Sequence, residues 1–502
     1  MNVLVSGKRL GVALSRHGLF TGCRASTAAS TAKRSPVLAG CLLVIGLAGV
    51  TMPLAAQSNR SPERWQQEAR EIFAELIAIN TTQSVGNTTV AAEAMRRRLV
   101  AGGFPEADVV VVGEADRKGN LVARYRGGQT GRAPLLLLAH IDVVEANPED
   151  WTLPPFELIE QDSTFYGRGT ADDKDEAAIY VANFLRMKDE GFVPDRDIIL
   201  ALTADEEGGP ENGVVWLLEN RRDLIDAEYA LNEGGGGTLA DGRRVSNTVQ
   251  AAEKKFQNFT LEVTNPGGHS SQPRPDNAIN ELSQALVRIG QHRFPVRLND
   301  VMRAYLEASA DLVEPEMGQA MRRLLDDPSD AAAIAILETD VPLNSRLRST
   351  CVATLLEAGH ASNALPQRAQ ANVNCRILPD ADPVDIQRTL EQVANVSTLT
   401  ITPSGSAQNS PPSPLTDEVL GPISRITEQM WPGVPVVPTM STGATDGLYL
   451  RNAGIPVYGV SGLFYGETFA HGMNERIPVE SFYEGQEFLY RLVKALSGRA
   501  VS

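Results

Sequence analysis

Five side chains of this chain carry chemistry by type and by place: His140, Asp172, Glu207, Glu233 and His471. Four of them end or closely follow an apolar run. Residues 133–139 lead into His140, 198–204 into Asp205-Glu206-Glu207, and 227–232 into Glu233, while 455–460 precede the loop with His471. Asp172 stands within Tyr166-Gly-Arg-Gly-Thr-Ala-Asp-Asp-Lys-Asp-Glu176, at the mouth of a helix. Apolar runs of this length suit strands of a parallel sheet covered on both faces. In such sheets ligands bind beyond the carboxyl ends of the strands. Two imidazoles and three carboxylates gathered there need a neutralising partner if they are to be buried. Nitrogen and oxygen donors of this kind suit Zn²⁺, with Co²⁺ or Mn²⁺ as alternatives. Five ligands are too many for one tetrahedral zinc. They suit two ions that share a carboxylate and leave room for a bridging water. Asp142, two residues past His140 on the same side of a strand, is placed to orient that imidazole. Glu206, beside Glu207, is then free to act as a base toward the water.

The elements that must position these groups alternate. A helix opens at Ser61-Pro62-Glu63, with Trp65, Ala69, Ile72, Phe73 and Leu76 on one face. A second runs from about 89 to 101, strands follow near 109–112 and 120–126, and the helix after Asp172 continues to about 190. Strands alternating with helices, with an acid at each strand end, give an α/β catalytic body with a mostly parallel sheet flanked by helices. Near Ala252 the pattern changes. Residues 255–263 alternate with period two, so one face of that strand is wet. A helix over 277–291, strands over 348–356 and 366–377, a helix begun by Asp382-Pro383 and a strand over 398–402 complete a βαββαβ unit. The expected organisation is a leader over 1–56, a catalytic domain over 57–252 and 405–502, and an inserted α+β domain over 253–404. A helical insertion over about 296–345 lies inside the last, and the sequence assigns it no purpose. The Ser/Pro-rich stretch 404–414 returns the chain to the catalytic body.

The net charge is −16, although residues 1–56 hold six Lys/Arg and no acid. So acidic a body argues against a nucleic-acid partner and against adhesion to anionic membranes. In the leader, Lys33-Arg34 precede an apolar run over 37–50 that ends in small residues. That pattern matches a signal peptide cleaved near Ala56, giving a periplasmic or secreted protein with no stable membrane partner. The run is short for a membrane span. A transit peptide and a lipoprotein box at Leu38-Ala-Gly-Cys41 are the rival readings. Beyond the leader only Cys351 and Cys375 remain. Both fall in alternating, strand-like segments, which fits a disulfide between paired strands or two packed free thiols.

The order His140-x-Asp142, Gly167-Arg-Gly-Thr-Ala-Asp-Asp-Lys174, Asp205-Glu-Glu-Gly208, Asn232-Glu-Gly234 and a late His471 resembles the M20 metallopeptidase family over about residues 62–498. The family includes carboxypeptidase G-like and carboxypeptidase S-like enzymes, aminoacylases and dipeptidases. The resemblance implies that Asp172 bridges two ions, that His140 and Glu233 complete one site, and that Glu207 and His471 complete the other. It implies Glu206 as general base and Asp142 as support for His140. It makes the inserted domain a lid and dimerisation domain in a homodimer. There Pro266-Gly-Gly-His-Ser-Ser271 would carry His269 into the partner's site to stabilise an oxyanion. Arg376, Asn363 and the turn with Gly443, Ala444 and Thr445 match places that hold the substrate carboxylate. One departure is Asp175, where the family's motif usually has glycine. Aspartate there adds negative charge near the ions and would pay a modest penalty if the turn requires a positive φ.

These residues together imply an exported hydrolase with two zinc ions per subunit, cleaving short peptides next to a free C-terminal carboxylate. An N-acyl-amino-acid deacylase is the second reading. A non-catalytic binding protein on the same scaffold is the third, and the intact Glu206 and ligand set speak against it. His292 and His360 read as structural.

Overall fold

Three apolar runs lie side by side as parallel strands, in the order Ile198–Thr203, Leu135–His140, Tyr229–Asn232, and Val457–Gly459 extends them. The first three are buried at every residue. Their side chains alternate between two cores. Leu135, Leu137 and Ala139 join one hydrophobic cluster, whereas Leu136 and Leu138 join another on the opposite face. That two-sided burial is why they read as unbroken apolar runs. The computed structural model describes residues 59–128, 130–405 and 407–498. The full sheet has ten strands, parallel at its centre and flanked by helices such as Glu63–Ala78, Lys174–Asp189 and Val479–Ser497. All five expected apolar positions of the first helix are buried.

The inserted unit is a separate four-stranded antiparallel sheet. Its order is Thr350–Ala358, Arg368–Ile377, Lys255–Thr264, Leu399–Ser404. Two helices, Ala278–Gln291 and Pro383–Ala394, share its core with Phe259, Leu261, Val373 and Ile377. Cys351 and Cys375 face each other in register and are joined by a disulfide.

Three features depart from the expectation. Arg243–Glu253 is an eleven-residue strand of the central sheet, running to within one residue of the lid strand that begins at Lys255. The helical insertion comprises Asp300–Ser309, Pro315–Asp326, Ala331–Leu337 and Val341–Leu347. Its apolar residues Val301, Met302, Leu306, Met321 and Leu324 belong to the main core of the catalytic body, while the lid keeps a core of its own. Asp175 occupies the first turn of the helix Lys174–Asp189, so no positive φ is required of it. The leader lies outside the described residues. Among the described residues no helix is long and apolar enough to cross a membrane.

Candidate metal centre

The carboxyl ends of the three parallel strands deliver the candidate ligands. His140 is the last residue of its strand, Glu206 and Glu207 follow Thr203 by three and four residues, and Glu233 follows Asn232 directly. Asp172 sits just before the helix beginning at Lys174, joined to Asp173 by a cis peptide. Among the described residues, ligand atoms of His140, Asp172 and Glu233 lie within 4.8 Å of one another, and so do those of Asp172, Glu207 and His471. Asp172 is common to both groups. Its Oδ1 is 2.9 Å from His140 Nε2 and its Oδ2 is 3.0 Å from His471 Nε2. Glu207 Oε2 lies 3.0 Å from the same His471 nitrogen.

Burial and crowding of acids shape the electrostatics. Burial, then the neighbouring Asp172 charge, pushes Glu207 up to about 7. Burial and Glu233 push Glu206 up to about 10, and burial raises Glu233 well above the carboxylate range. Burial also works to raise Asp172, but the two imidazoles more than offset it and hold this carboxyl below the usual range. For His471, the hydrogen bond to Asp172 leads in lifting the imidazole to about 9. Glu207 Oε1 is buried with no hydrogen-bond partner. Crowded acids around two imidazoles, with an orphaned carboxylate oxygen among them, are what a bound cation resolves.

Asp142 holds the site from behind in two ways. Its carbonyl oxygen lies 3.1 Å from His140 Nδ1, so the imidazole is oriented by the backbone, while the carboxylate stands 3.7 Å away. That carboxylate accepts the amides of Glu206 and Glu207 at 3.1 and 3.2 Å. The sequence placed Asp142 against His140. The fold gives it the additional task of fixing the Glu206-Glu207 pair.

The stretch before Asp172 is tied to the His471 loop by a pair that the sequence reading missed. Glu475, fully buried, accepts from Arg168 Nη1 at 2.6 Å, from the Gly169 amide at 3.1 Å and from the Ala171 amide at 2.7 Å. Arg168 Nη2 also donates to the Gly472 carbonyl at 2.9 Å. Gly169 has φ +88, a conformation that favours glycine, and Lys174 and Val143 fill the space a Cβ would need. Lys174 donates from the core to the carbonyls of Leu76 and Ile79, both at 2.9 Å. Breaking a buried ion pair by removing one partner destabilises by about 3–5 kcal/mol. Glu475→Ala should therefore lower the denaturant midpoint by an amount corresponding to that loss and weaken metal retention through the Asp172–His471 link. A variant as stable as the parent in urea would refute the assignment.

The remaining candidates fall in two places. His269 and Asn363 come together on the lid, where Gly268–His269 pairs with Ala364–Leu365 and the Ser270 amide donates to the Asn363 carbonyl. Both are exposed, and among the described residues no hydrogen bond or ion pair joins either to His140, Asp172, Glu207, Glu233 or His471. The Ser271 amide donates to His269 Nδ1 at 3.2 Å, and Ser271 Oγ lies 2.8 Å from the same nitrogen. The 443–445 turn is less open than expected. Thr445 gives its amide and its hydroxyl to the buried Glu253 carboxylate, each at 3.0 Å, and the Gly443 amide donates to Ser441 Oγ. Thr445 is therefore turned inward and buried, while Gly443 and Ala444 are exposed. Glu253 is held in turn by Arg451 at 2.9 Å.

Arg376 sits half-buried on its lid strand, 5.5 Å from the Phe256 ring and opposite Thr350. Lys254, unread in the sequence, is buried beside it. Burial, then the Arg376 charge, pushes Lys254 down to about 7, and its Nζ reaches Thr350 Oγ1 at 3.4 Å. The Lys254 amide donates to the Ser441 carbonyl. The doublet Lys254-Lys255, at the junction of the two sheets, was the available signal. Asp175 accepts from Tyr465 Oη at 3.0 Å, and burial pushes its carboxyl up to about 8, so it brings less charge to the site than its type suggests.

A match to the family described as "Peptidase family M20/M25/M40" spans residues 136–495. The chain is 26% identical over 468 residues to the N-fatty-acyl-amino acid synthase/hydrolase of Homo sapiens, covering 87% of this chain and 90% of that protein. It is 28% identical to the probable carboxypeptidase S-like 2 of Dictyostelium discoideum, over 75% of this chain and 74% of that one. Among solved structures, the M20 family metallo-carboxypeptidase of Sulfolobus solfataricus superposes with a TM-score of 0.63 at 18% identity, over 86% of this chain and 99% of its own. At that identity the likeness is one of fold.

Proposed function

The chain belongs to peptidase family M20/M25/M40, and on that footing we propose that it is a two-metal hydrolase of N-acyl amino acids. It splits the amide between an acyl group and an amino acid that keeps its carboxylate free. The observation that carries this reading is Asp172, placed between His140 and His471 so that two ligand groups share it. His140, Asp172 and Glu233 would hold one ion and Asp172, Glu207 and His471 the other. The mixed imidazole and carboxylate set favours zinc, with cobalt or manganese as substitutes. When bound, such ions polarise the scissile carbonyl and lower the pKa of water.

The chain's own residues do the rest. Glu206 belongs to neither ligand group, and its backbone is pinned by Asp142. It takes a proton from the attacking water as the new carbon–oxygen bond forms, and returns it to the nitrogen as the carbon–nitrogen bond breaks. Arg376 and Lys254, neither of them in an ion pair with a carboxylate among the described residues, hold the free carboxylate. The similarity to an N-fatty-acyl-amino acid synthase/hydrolase supports the acyl amino acid as substrate. Carboxypeptidase action on short peptides is the second reading, supported by the similarity to a probable carboxypeptidase S-like protein. Zinc-loaded protein should cleave N-acyl amino acids, spare their C-terminal amides, and lose activity with a chelator. Failure to turn over any N-acyl amino acid or dipeptide while zinc is bound would sink the proposal.

Two further expectations arise here. Lys254→Met and Arg376→Ala should each raise KM roughly 10- to 100-fold with kcat little changed, the size of a hydrogen bond to a charged group. Lys254→Met should also leave the fold as stable or more so, because an unpaired buried ammonium is costly. A fall in kcat at constant KM would argue against the anchor.

We also propose a homodimer through the lid. Its edge strand exposes Val352, Leu355 and Leu356 at 58%, 68% and 62%, an apolar edge that single chains rarely leave open. Leu355→Asp with Leu356→Asp should yield a monomer in sedimentation. If His269 serves a partner's site, the monomer loses turnover as His269→Ala does, roughly 10²-fold or more. A parent that already sediments as a monomer would refute the dimer, and a fully active monomeric variant would refute the role of His269 in a partner's site. Export is supported by the Cys351–Cys375 bond, which suits an oxidising compartment. N-terminal sequencing of the protein recovered outside the cytoplasm should begin near Gln57, and an uncleaved N-terminus would contradict it.

A further inference from the structure

An amino acid held by its carboxylate and cut at its nitrogen sends its side chain out from the carbon between the two. A chamber of about 430 Å³ adjoins both of the groups that would hold such a substrate. It borders Gly234, the residue after the candidate ligand Glu233. It also borders Ser441 and Thr442, and the Ser441 carbonyl accepts the amide of Lys254, one of the two proposed carboxylate anchors, at 3.0 Å. The helical insertion supplies a further wall, with Tyr305 and Ser309 from Asp300–Ser309 and Arg346 from Val341–Leu347. The insertion is inside the lid by sequence, but its helix Asp300–Ser309 packs on the catalytic strand Val436–Ser441. That packing is what brings its side chains beside the end of the strand that Lys254 touches.

The lining is rich in hydroxyls and carries charge of one sign. Seven of its residues are serine or threonine, and no aspartate or glutamate lines it, in a chain of net charge −16. Its one charged side chain is Arg346, which is half-buried and ion-pairs with no carboxylate among the described residues. Nη1 of Arg346 donates to Tyr305 Oη at 3.1 Å, while its Nε is buried without a partner. A guanidinium carries several N–H donors in a fork, so most of this one's capacity is unspent. The hydroxyls of Ser309, Thr439 and Thr442 likewise have no hydrogen-bond partner among the described residues. A guanidinium without an acid, set among unused hydroxyls, is a donor set for a carboxylate. A lysine side chain would meet a like charge there and no acid. An aliphatic one would leave the guanidinium unsatisfied.

We infer that this chamber receives the side chain of the substrate's amino-acid half and selects one that ends in a carboxylate, with Arg346 as the residue that sets the preference. This rests on the N-acyl-amino-acid reading above. The test is kcat/KM of zinc-loaded full-length mature protein on N-octanoyl-glutamate, -glutamine, -leucine and -lysine, with N-succinyl-leucine beside them. The parent should favour glutamate over leucine roughly tenfold or more, the size of a hydrogen bond to a charged group, and should turn over lysine least. In Arg346→Gln the glutamate-to-leucine ratio should fall by about the same factor, toward that of the uncharged glutamine substrate. Arg346→Lys keeps the charge without the fork and should retain part of the preference. Each ratio is taken within one protein, so it does not depend on how much of a variant is folded. A parent that favours leucine or lysine would overturn the inference and leave the N-acyl reading standing, and so would an Arg346→Gln ratio equal to the parent's. If Arg346→Gln loses turnover of N-succinyl-leucine and not of the glutamate substrate, the chamber faces the acyl half, and the inference falls. No turnover of any N-acyl amino acid would overturn the reading on which it rests.

Discussion

Asp172→Ala should strip the protein of both metal ions at once, and activity should fall roughly 10³-fold or more. The expectation follows from its position. One carboxylate oxygen faces His140 and the other faces His471, so neither ligand group keeps three members without it. Ions of this kind contribute several kcal/mol to the reacting centre, and each ~1.4 kcal/mol is a factor of ten in rate. His471→Ala should behave differently, because it belongs to one group only. Metal analysis of purified variants decides between the alternatives. Two ions lost in Asp172→Ala against one in His471→Ala establishes the shared ligand. Equal losses in both would mean that the groups do not act as two sites.

Glu206→Gln should keep both ions and the fold and lower kcat by roughly 10²- to 10⁴-fold, the range for a positioned general base. Glutamine preserves volume and hydrogen bonding but cannot accept the proton. The backbone of residue 206 stays bound to Asp142 in either case, so the loss should fall on kcat with KM little altered. Thermal unfolding and metal content should match the parent. A variant that loses an ion would make Glu206 a ligand, and one that keeps full turnover would remove it from the reaction.

Much of the candidate site is legible in the sequence. The strands that carry His140, Glu207 and Glu233 are buried on both faces, and the resulting apolar runs marked both their places and their ends. The lid was legible for the opposite reason. Lys255–Thr264 and Arg368–Ile377 alternate buried and open residues, as a sheet with one wet face must. Arg243–Glu253 was missed because its buried positions include Asn247, Gln250 and Glu253. Asn247 donates to Thr427, and Glu253 binds Arg451 and Thr445, so polarity that reads locally as a loop is satisfied by distant partners.

By itself, then, the sequence determined which residues were available to bind metal and on which kinds of element they stand. Hydrophobic periodicity and the donor chemistry of His, Asp and Glu are properties of a local stretch. Tertiary structure decided what has no local signature. Glu475 reaches Arg168 across 307 positions, Thr445 turns its donors inward to Glu253, and Lys254 is buried beside Arg376. The insertion likewise leaves the lid that contains it in sequence and joins the main core of the chain. Each depends on which distant surface a segment buries, and that is settled by packing the whole chain at once.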